Sequence, residues 1–167
     1  MKKLIAILMA ASMLLAASAC GNNENSANTP ETSDSITNVK ACTDIYNEDI
    51  ATVIKMPEMI SVSEKKLNNT YGIEKGLYND YVFMTAQEAT KADTVIIIKA
   101  SSEDNKEDIT DKLNTFIEQC MNTSVDYNPE QFELVKQASV KENGDYVYLV
   151  FSEDMDTIEE IIKGAIA

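Results

Sequence analysis

The sequence predicts an α+β domain: a four-stranded antiparallel sheet with helices packed mainly on one face. Three observations point there. Val95-Ile96-Ile97-Ile98 is β-branched throughout and too apolar for a sheet edge. Tyr146–Phe151 is a second apolar run, and it follows Asn143-Gly144, a strong hairpin signal. The intervening and closing stretches carry apolar residues at helical spacing, Ile109, Leu113, Phe116, Ile117 and Cys120 in one and Ile158, Ile161, Ile162 and Ile166 in the other.

Taken in order, Asn47–Met56 reads as a short helix with Ile50, Val53 and Ile54 on one side, stopped by Pro57. Ser63–Tyr71 reads as a second helix, capped by Ser63 and ended by Gly72, where a positive φ is often required. Tyr78–Ala86 and Thr94–Ala100 read as strands, and Glu107–Asn122 as a long helix. Asn128-Pro129 opens another helix, with Asn128 as cap, Pro129 at the first position and Gln131 completing a capping-box pattern. Ala138–Glu142 and Tyr146–Phe151 form a hairpin about Asn143-Gly144, and Asp156–Ile166 is the closing helix.

Two segments echo one another. Val95–Ala100 runs into Ser101-Ser102-Glu103-Asp104 and a helix, and Tyr146–Phe151 runs into Ser152-Glu153-Asp154 and a helix. The domain can be read as two hairpin-plus-helix units. Convergent capping accounts for the likeness as well, because Ser and Asp favour helix starts.

Ahead of the domain the chain changes character twice. Lys2 and Lys3 precede Leu4–Ala19, an uncharged and mostly apolar run, and Ala17-Ser18-Ala19 leads straight into Cys20. This is the layout of a bacterial export signal ending at an acylated cysteine. The run falls short of the about 20 apolar residues that span a bilayer. Residues 1–19 are therefore expected to be a lipoprotein signal peptide and Cys20 the lipidated residue. Two acyl chains, at about 0.8 kcal/mol per buried CH₂, make a durable anchor. Residues 20–38 are expected to be a disordered tether, because Asn, Ser, Thr, Glu, Asp and Pro there cannot bury enough surface to offset chain entropy. Such a chain spans roughly 25 Å. Residues 39–167 are expected to be a single domain, long enough to hold a core without metals or disulfides.

Composition excludes several chemistries. Asp and Glu number 28 against 14 basic residues, and the net charge is −14. Every cationic side chain is Lys; there is no Arg, His or Trp. Nucleic-acid binding needs basic patches that displace counterions, and none is legible. Without His there is no Ser-His-Asp or Cys-His machinery and no imidazole metal site. Without Arg there is no bidentate clamp for phosphate or carboxylate. Anionic polymers and membrane surfaces are repelled at close range, so a partner should be neutral, cationic or bridged by divalent ions.

Three groups of residues remain as candidates. Cys42 and Cys120 could form a disulfide outside the cell, closing a long loop worth up to roughly 4 kcal/mol; the alternative puts Cys120 on its helix's apolar face and Cys42 near the tether. Glu103, Asp104, Glu107 and Asp108 form one acidic cluster and Glu153, Asp154, Asp156 and Glu159 another. Calcium wants several oxygens on a flexible loop, but neither run has the Asp-x-Asp-x-Asp-Gly form, and acids at helix starts suit the helix dipole. No metal or other cofactor is expected.

Tyr71-Gly72-Ile73, Ala92–Ala100, Tyr127-Asn128-Pro129-Glu130 and Gly144–Val150 together carry a resemblance. The chain resembles small uncharacterised lipoproteins of Gram-positive, clostridia-type bacteria that carry a single domain of unknown function. The resemblance implies location and fold and brings no catalytic residues. The resulting expectation is an extracytoplasmic lipoprotein, held to the cell membrane through its lipid alone, that serves as a binding or accessory module with an envelope protein as partner. It is expected not to be an enzyme. The alternatives are an envelope enzyme that uses carboxylates and a purely structural envelope protein.

Overall fold

The strand Thr94–Ala100 sits at the centre of the sheet, with five of its seven residues fully or almost fully buried in an unbroken run from Thr94 to Ile98. Alternation explains how one strand is apolar on both sides. Ile96 and Ile98 face one core, and Val95 and Ile97 face another. The same holds for Tyr146–Phe151, whose Val147, Leu149 and Phe151 join the first core and whose Tyr146, Tyr148 and Val150 join the second.

The computed structural model describes residues 40–124 and 128–167. The expected leader 1–19, Cys20 and the expected tether 20–38 lie outside the described residues. The strands are β1 Met59–Ser61, β2 Tyr78–Ala86, β3 Thr94–Ala100, β4 Lys141–Asn143 and β5 Tyr146–Phe151. They form one antiparallel sheet in the order β1-β2-β3-β5-β4. The α-helices are α1 Cys42–Asp44, α2 Glu64–Tyr71, α3 Glu103–Ser124, α4 Pro129–Gln137 and α5 Met155–Ala165. α1 continues as a π-helical stretch, Ile45–Ile50, and a short 3₁₀ turn, Lys75–Leu77, leads into β2.

The sheet has five strands where four were expected. The added strand, β1, pairs Met59, Ile60 and Ser61 with Ala86, Thr85 and Met84 at the sheet edge. Its three residues are too few for a periodic pattern to show. The helices also cover both faces, which corrects the expectation of one. Leu67 of α2, Ile109 and Leu113 of α3 and Val135 of α4 close the first core. Cys42, Ile45, Tyr46 and Ile50 of the first helical segment, with Ile158 and Ile162 of α5, close the second.

This arrangement bears on the two echoing segments. β3 and β5 are antiparallel neighbours flanked by their hairpin partners β2 and β4. A two-fold axis normal to the sheet would relate the hairpins but keep their helices on one face. α3 and α5 instead lie on opposite faces, so the shared Ser-Glu-Asp reflects capping rather than duplicated packing.

Local signals fix several boundaries. The Ser63 hydroxyl accepts the Lys66 N–H at 3.4 Å, and Gly72 ends α2 at φ 68°. The Asn128 side chain accepts the Gln131 N–H. Gln131 does not close the expected capping box; its side-chain oxygen accepts the Ala92 N–H. The helix expected over Asn47–Met56 starts earlier and ends at Ile50, leaving Val53 68% exposed. The cause is remote in sequence, since the Asp80 carboxylate accepts the Cys42 N–H at 2.7 Å and so caps α1 from the sheet. α3 starts at Glu103 rather than Glu107, because the Ser102 hydroxyl accepts the Asn105 N–H. The β4–β5 turn is Gly144-Asp145, one residue beyond the expected Asn143-Gly144; Asn143 pairs with Tyr146, and Gly144 carries φ 55°.

Candidate functional site

Four segments that are separate in sequence meet around an open cavity of about 530 Å³ on the first face. The end of α2 supplies Thr70 and Tyr71, the β2–β3 loop supplies Ala89–Ala92, α3 supplies Phe116, Gln119, Cys120 and Thr123, and the start of α4 supplies Asn128 and Gln131. The volume lies within the range of small-molecule sites.

Each wall is held by an identifiable contact. Gly72 turns the chain out of α2, with its N–H donating to the Asn68 carbonyl, and this fixes Tyr71 at the helix end. The Tyr71 ring lies 4.7 Å from Phe83 and meets Phe116 edge-on at 5.3 Å. Phe116 in turn stacks on Phe151 at 5.7 Å. The cavity floor is thus the outer layer of an aromatic cluster rooted in the sheet. The loop wall is tied to α4 twice, by the Asn128 side-chain amide donating to the Thr90 carbonyl at 3.0 Å and by the Ala92–Gln131 bond.

The electrostatics of the lining differ from those of the whole chain. Among the described residues no carboxylate lines the cavity, and Lys91 is its one charged residue. Burial pushes the Cys120 thiol up to about 11. Burial also raises the Tyr71 hydroxyl above its ordinary value, with the nearby Cys120 adding to the shift. Both groups therefore stay protonated at neutral pH and provide neither a ready nucleophile nor a base. The chemistry on offer is stacking against rings and hydrogen bonding to hydroxyls and amides.

A second recess of about 310 Å³ shares Lys91 and Gln131 with the first and adds Lys55, Asp93, Glu153 and Asp154. Burial raises the Asp93 carboxyl above the usual range, and the negative charge of Glu153 adds to it, against lowering contributions from the backbone and Lys91.

Of the residues singled out from sequence, Cys120 lines the cavity and Glu153 and Asp154 line the second recess, while Cys42 and the other acidic residues lie elsewhere. Cys20 lies outside the described residues. Cys42 and Cys120 are both free thiols, in the cores of opposite faces, so they are not bridged. Cys42, the first residue of α1, is fully buried; its thiol is shifted far up, by burial first and then by the Asp80 charge. The acidic runs are helix starts whose members pair with lysines of the same helix. Glu103 meets Lys106 at 2.7 Å, Asp108 meets Lys112 at 2.9 Å and Glu159 meets Lys163 at 3.8 Å. Among the described residues no three His, Cys, Asp or Glu are placed to hold a metal, and no helix is long and apolar enough to cross a membrane.

The cavity itself was not read from the sequence. Its local signals, Tyr71-Gly72 and Asn128-Pro129, look like caps and are caps. That they also wall one hollow depends on the packing of α2 and α4 against α3.

A family described as "Domain of unknown function (DUF4358)" matches residues 52–152. No curated protein and no solved structure matches the chain. The matched stretch contains all five strands and every residue lining the cavity. Both segments that cover the second face, Cys42–Ile50 and α5, lie outside it.

Proposed function

The chain belongs to the DUF4358 family, defined by a domain of unknown function, and from that premise we propose that it is a binding module of the cell envelope, anchored outside the membrane by a lipid on Cys20. The observation that carries the binding role is the cavity between α2, the β2–β3 loop, α3 and α4. It has an aromatic floor, a rim of hydroxyls and amides, and no carboxylate among its described lining residues. A site that offers recognition groups without an acid–base pair suits binding better than turnover.

The anchor rests on the chain ahead of the domain. Lys2-Lys3, the apolar run Leu4–Ala19 and Cys20 have the order of a lipoprotein leader, and the polar segment after Cys20 would hold the domain off the surface. The test has two arms. Cys20→Ala should move the protein from the washed membrane fraction to the medium, and retention in the membrane would overturn the anchor. Small molecules that co-purify with the lipidated protein from intact cells should be lost in Gln119→Trp, which fills the cavity from an exposed position of α3. An identical set from both proteins would overturn the cavity as the binding site.

A further inference from the structure

The lining of the cavity restricts what can occupy it. Tyr71 and Phe116 offer ring surface to an apolar face. Gln119 adds a side-chain amide that can both donate and accept, and Gln131, whose oxygen already accepts the Ala92 N–H, adds its NH₂ as a donor. The charges disfavour ions of either sign. A cation would meet no carboxylate among the described lining residues and would lie beside Lys91. An anion would gain only Lys91, an exposed side chain whose pairing is worth little, and would enter against a chain of net charge −14. Either ion would also lose hydration over an apolar floor.

We infer that the cavity binds a small uncharged ring that lays one apolar face on Tyr71 or Phe116, whose rings stand at 88° to each other, and turns hydrogen-bonding edges to Gln119 and Gln131. The inference rests on reading this cavity as a binding site and names the class of ligand. Two sources share that chemistry, a neutral sugar ring and a flat aromatic amide. In the sugar the C–H face would lie on that ring, and in the aromatic amide the π face would.

The cavity carries its own reporter. Cys120 lines it, whereas Cys42 is fully buried on the opposite face. The experiment follows alkylation of Cys120 by iodoacetamide at about pH 9, where more of a raised-pKa thiol ionises, in the full chain carrying Cys20→Ala. Peptide mass spectrometry separates the two remaining thiols. The neutral probes are N-acetylglucosamine and nicotinamide, and the charged counterparts are glucuronate, nicotinate and 1-methylnicotinamide, a permanent cation.

The expected result is that at least one neutral probe slows alkylation of Cys120 severalfold at saturation and that its charged counterparts do not. Protection by N-acetylglucosamine alone assigns the sugar source, and protection by nicotinamide alone assigns the aromatic amide. Protection should fall in Phe116→Leu, which removes the ring, and in Gln119→Ala, an exposed change that spares the core. No protection by either neutral probe up to its solubility limit would overturn the inference, as would equal protection by the charged probes. If the probes fail while co-purifying molecules are still lost in Gln119→Trp, the ligand class is wrong and the binding site stands. If both fail, the binding reading falls with it.

Discussion

On one face of the sheet, Val82, Val95, Ile97, Tyr148 and Val150 meet Ile45 and Ile50 of the first helical segment and Ile158 and Ile162 of α5. On the other, Phe83, Ile96, Leu149 and Phe151 meet α2, α3 and α4, with Tyr71 and Phe116 only partly buried. The first packing is mainly aliphatic at the helix contacts, and branched side chains there fill the space under two helical segments. The second is built on rings, which meet edge-on at fixed angles and leave a concave surface where three helices and a loop converge. The closed face is sheathed by two helical segments, apart from a recess of about 380 Å³ beside Tyr46, Ile54 and Met84, and the open face carries the cavity. The family match follows the same division, since it contains the open face and excludes the segments covering the closed one.

The strongest test of the closed face is Ile97→Asp. Ile97 is fully buried beneath α1 and α5, and a carboxylate there has no partner. The expected outcome is loss of cooperative folding, read by thermal melting. A soluble variant with an unchanged melt would show that this face can open. Ile162→Ala is milder, removing a fully buried side chain of α5. It should cost about 3 kcal/mol in denaturant unfolding. On the open face Phe116→Leu should cost only about 1 kcal/mol, because the ring is partly buried and the replacement keeps apolar volume. Equal costs at Ile162 and Phe116 would erase the distinction between the faces.

The two thiols probe the same distinction without a core mutation. Cys120 should be alkylated in the native protein, slowly because its pKa is raised to about 11 by burial. Cys42 should react only after unfolding. Reaction of both at one rate would mean that α1 detaches as readily as the cavity admits reagent.

The smallest expected effect is on pH dependence. Asp93 has a raised carboxyl in the folded protein, by burial first and then by Glu153. The folded state therefore holds that proton more tightly than the unfolded chain. Stability contributed by this group is present below the ordinary carboxylate value and lost as pH rises through the raised folded value. Asp93→Asn should remove this opposing contribution, so that stability falls more steeply on acidification than in the parent, and leave neutral-pH stability equal or slightly higher, as measured by urea midpoints. A flatter acid limb in the variant would reverse the assignment.

Much of this architecture was legible in the residues. β2 and β3 occupy the predicted spans, because β-branched and aromatic runs bounded by polar residues have few alternatives. Ser63, Gly72 and Asn128 marked helix ends through side-chain or backbone chemistry that acts within four residues. What failed depended on distant partners. Asp80 sets the start of α1 from 38 positions away. β1 exists because β2 offers it a free edge, and Met59-Ile60-Ser61 alone does not announce a strand. The stripe on α5 was visible, but a stripe does not say which side of a sheet it will cover. The cavity was the least legible feature, since residues from Thr70 to Gln131 line it and no short motif joins them.

The docking of the first helical segment also sets a load path. The described chain enters at Lys40, whose ammonium pairs with Asp49 at 2.7 Å and Glu48 at 3.1 Å. It then passes through Cys42, held by Asp80 on β2. If Cys20 is anchored in a membrane, any drag on the domain is delivered here, on the side of the sheet opposite the cavity. Tension would first test the ion pairs and the Cys42–Asp80 bond, and then peel α1 from the closed face. The rings and loop that form the cavity lie outside that path, so an occupied cavity would keep its shape under a pull that had already begun to lift the first helix.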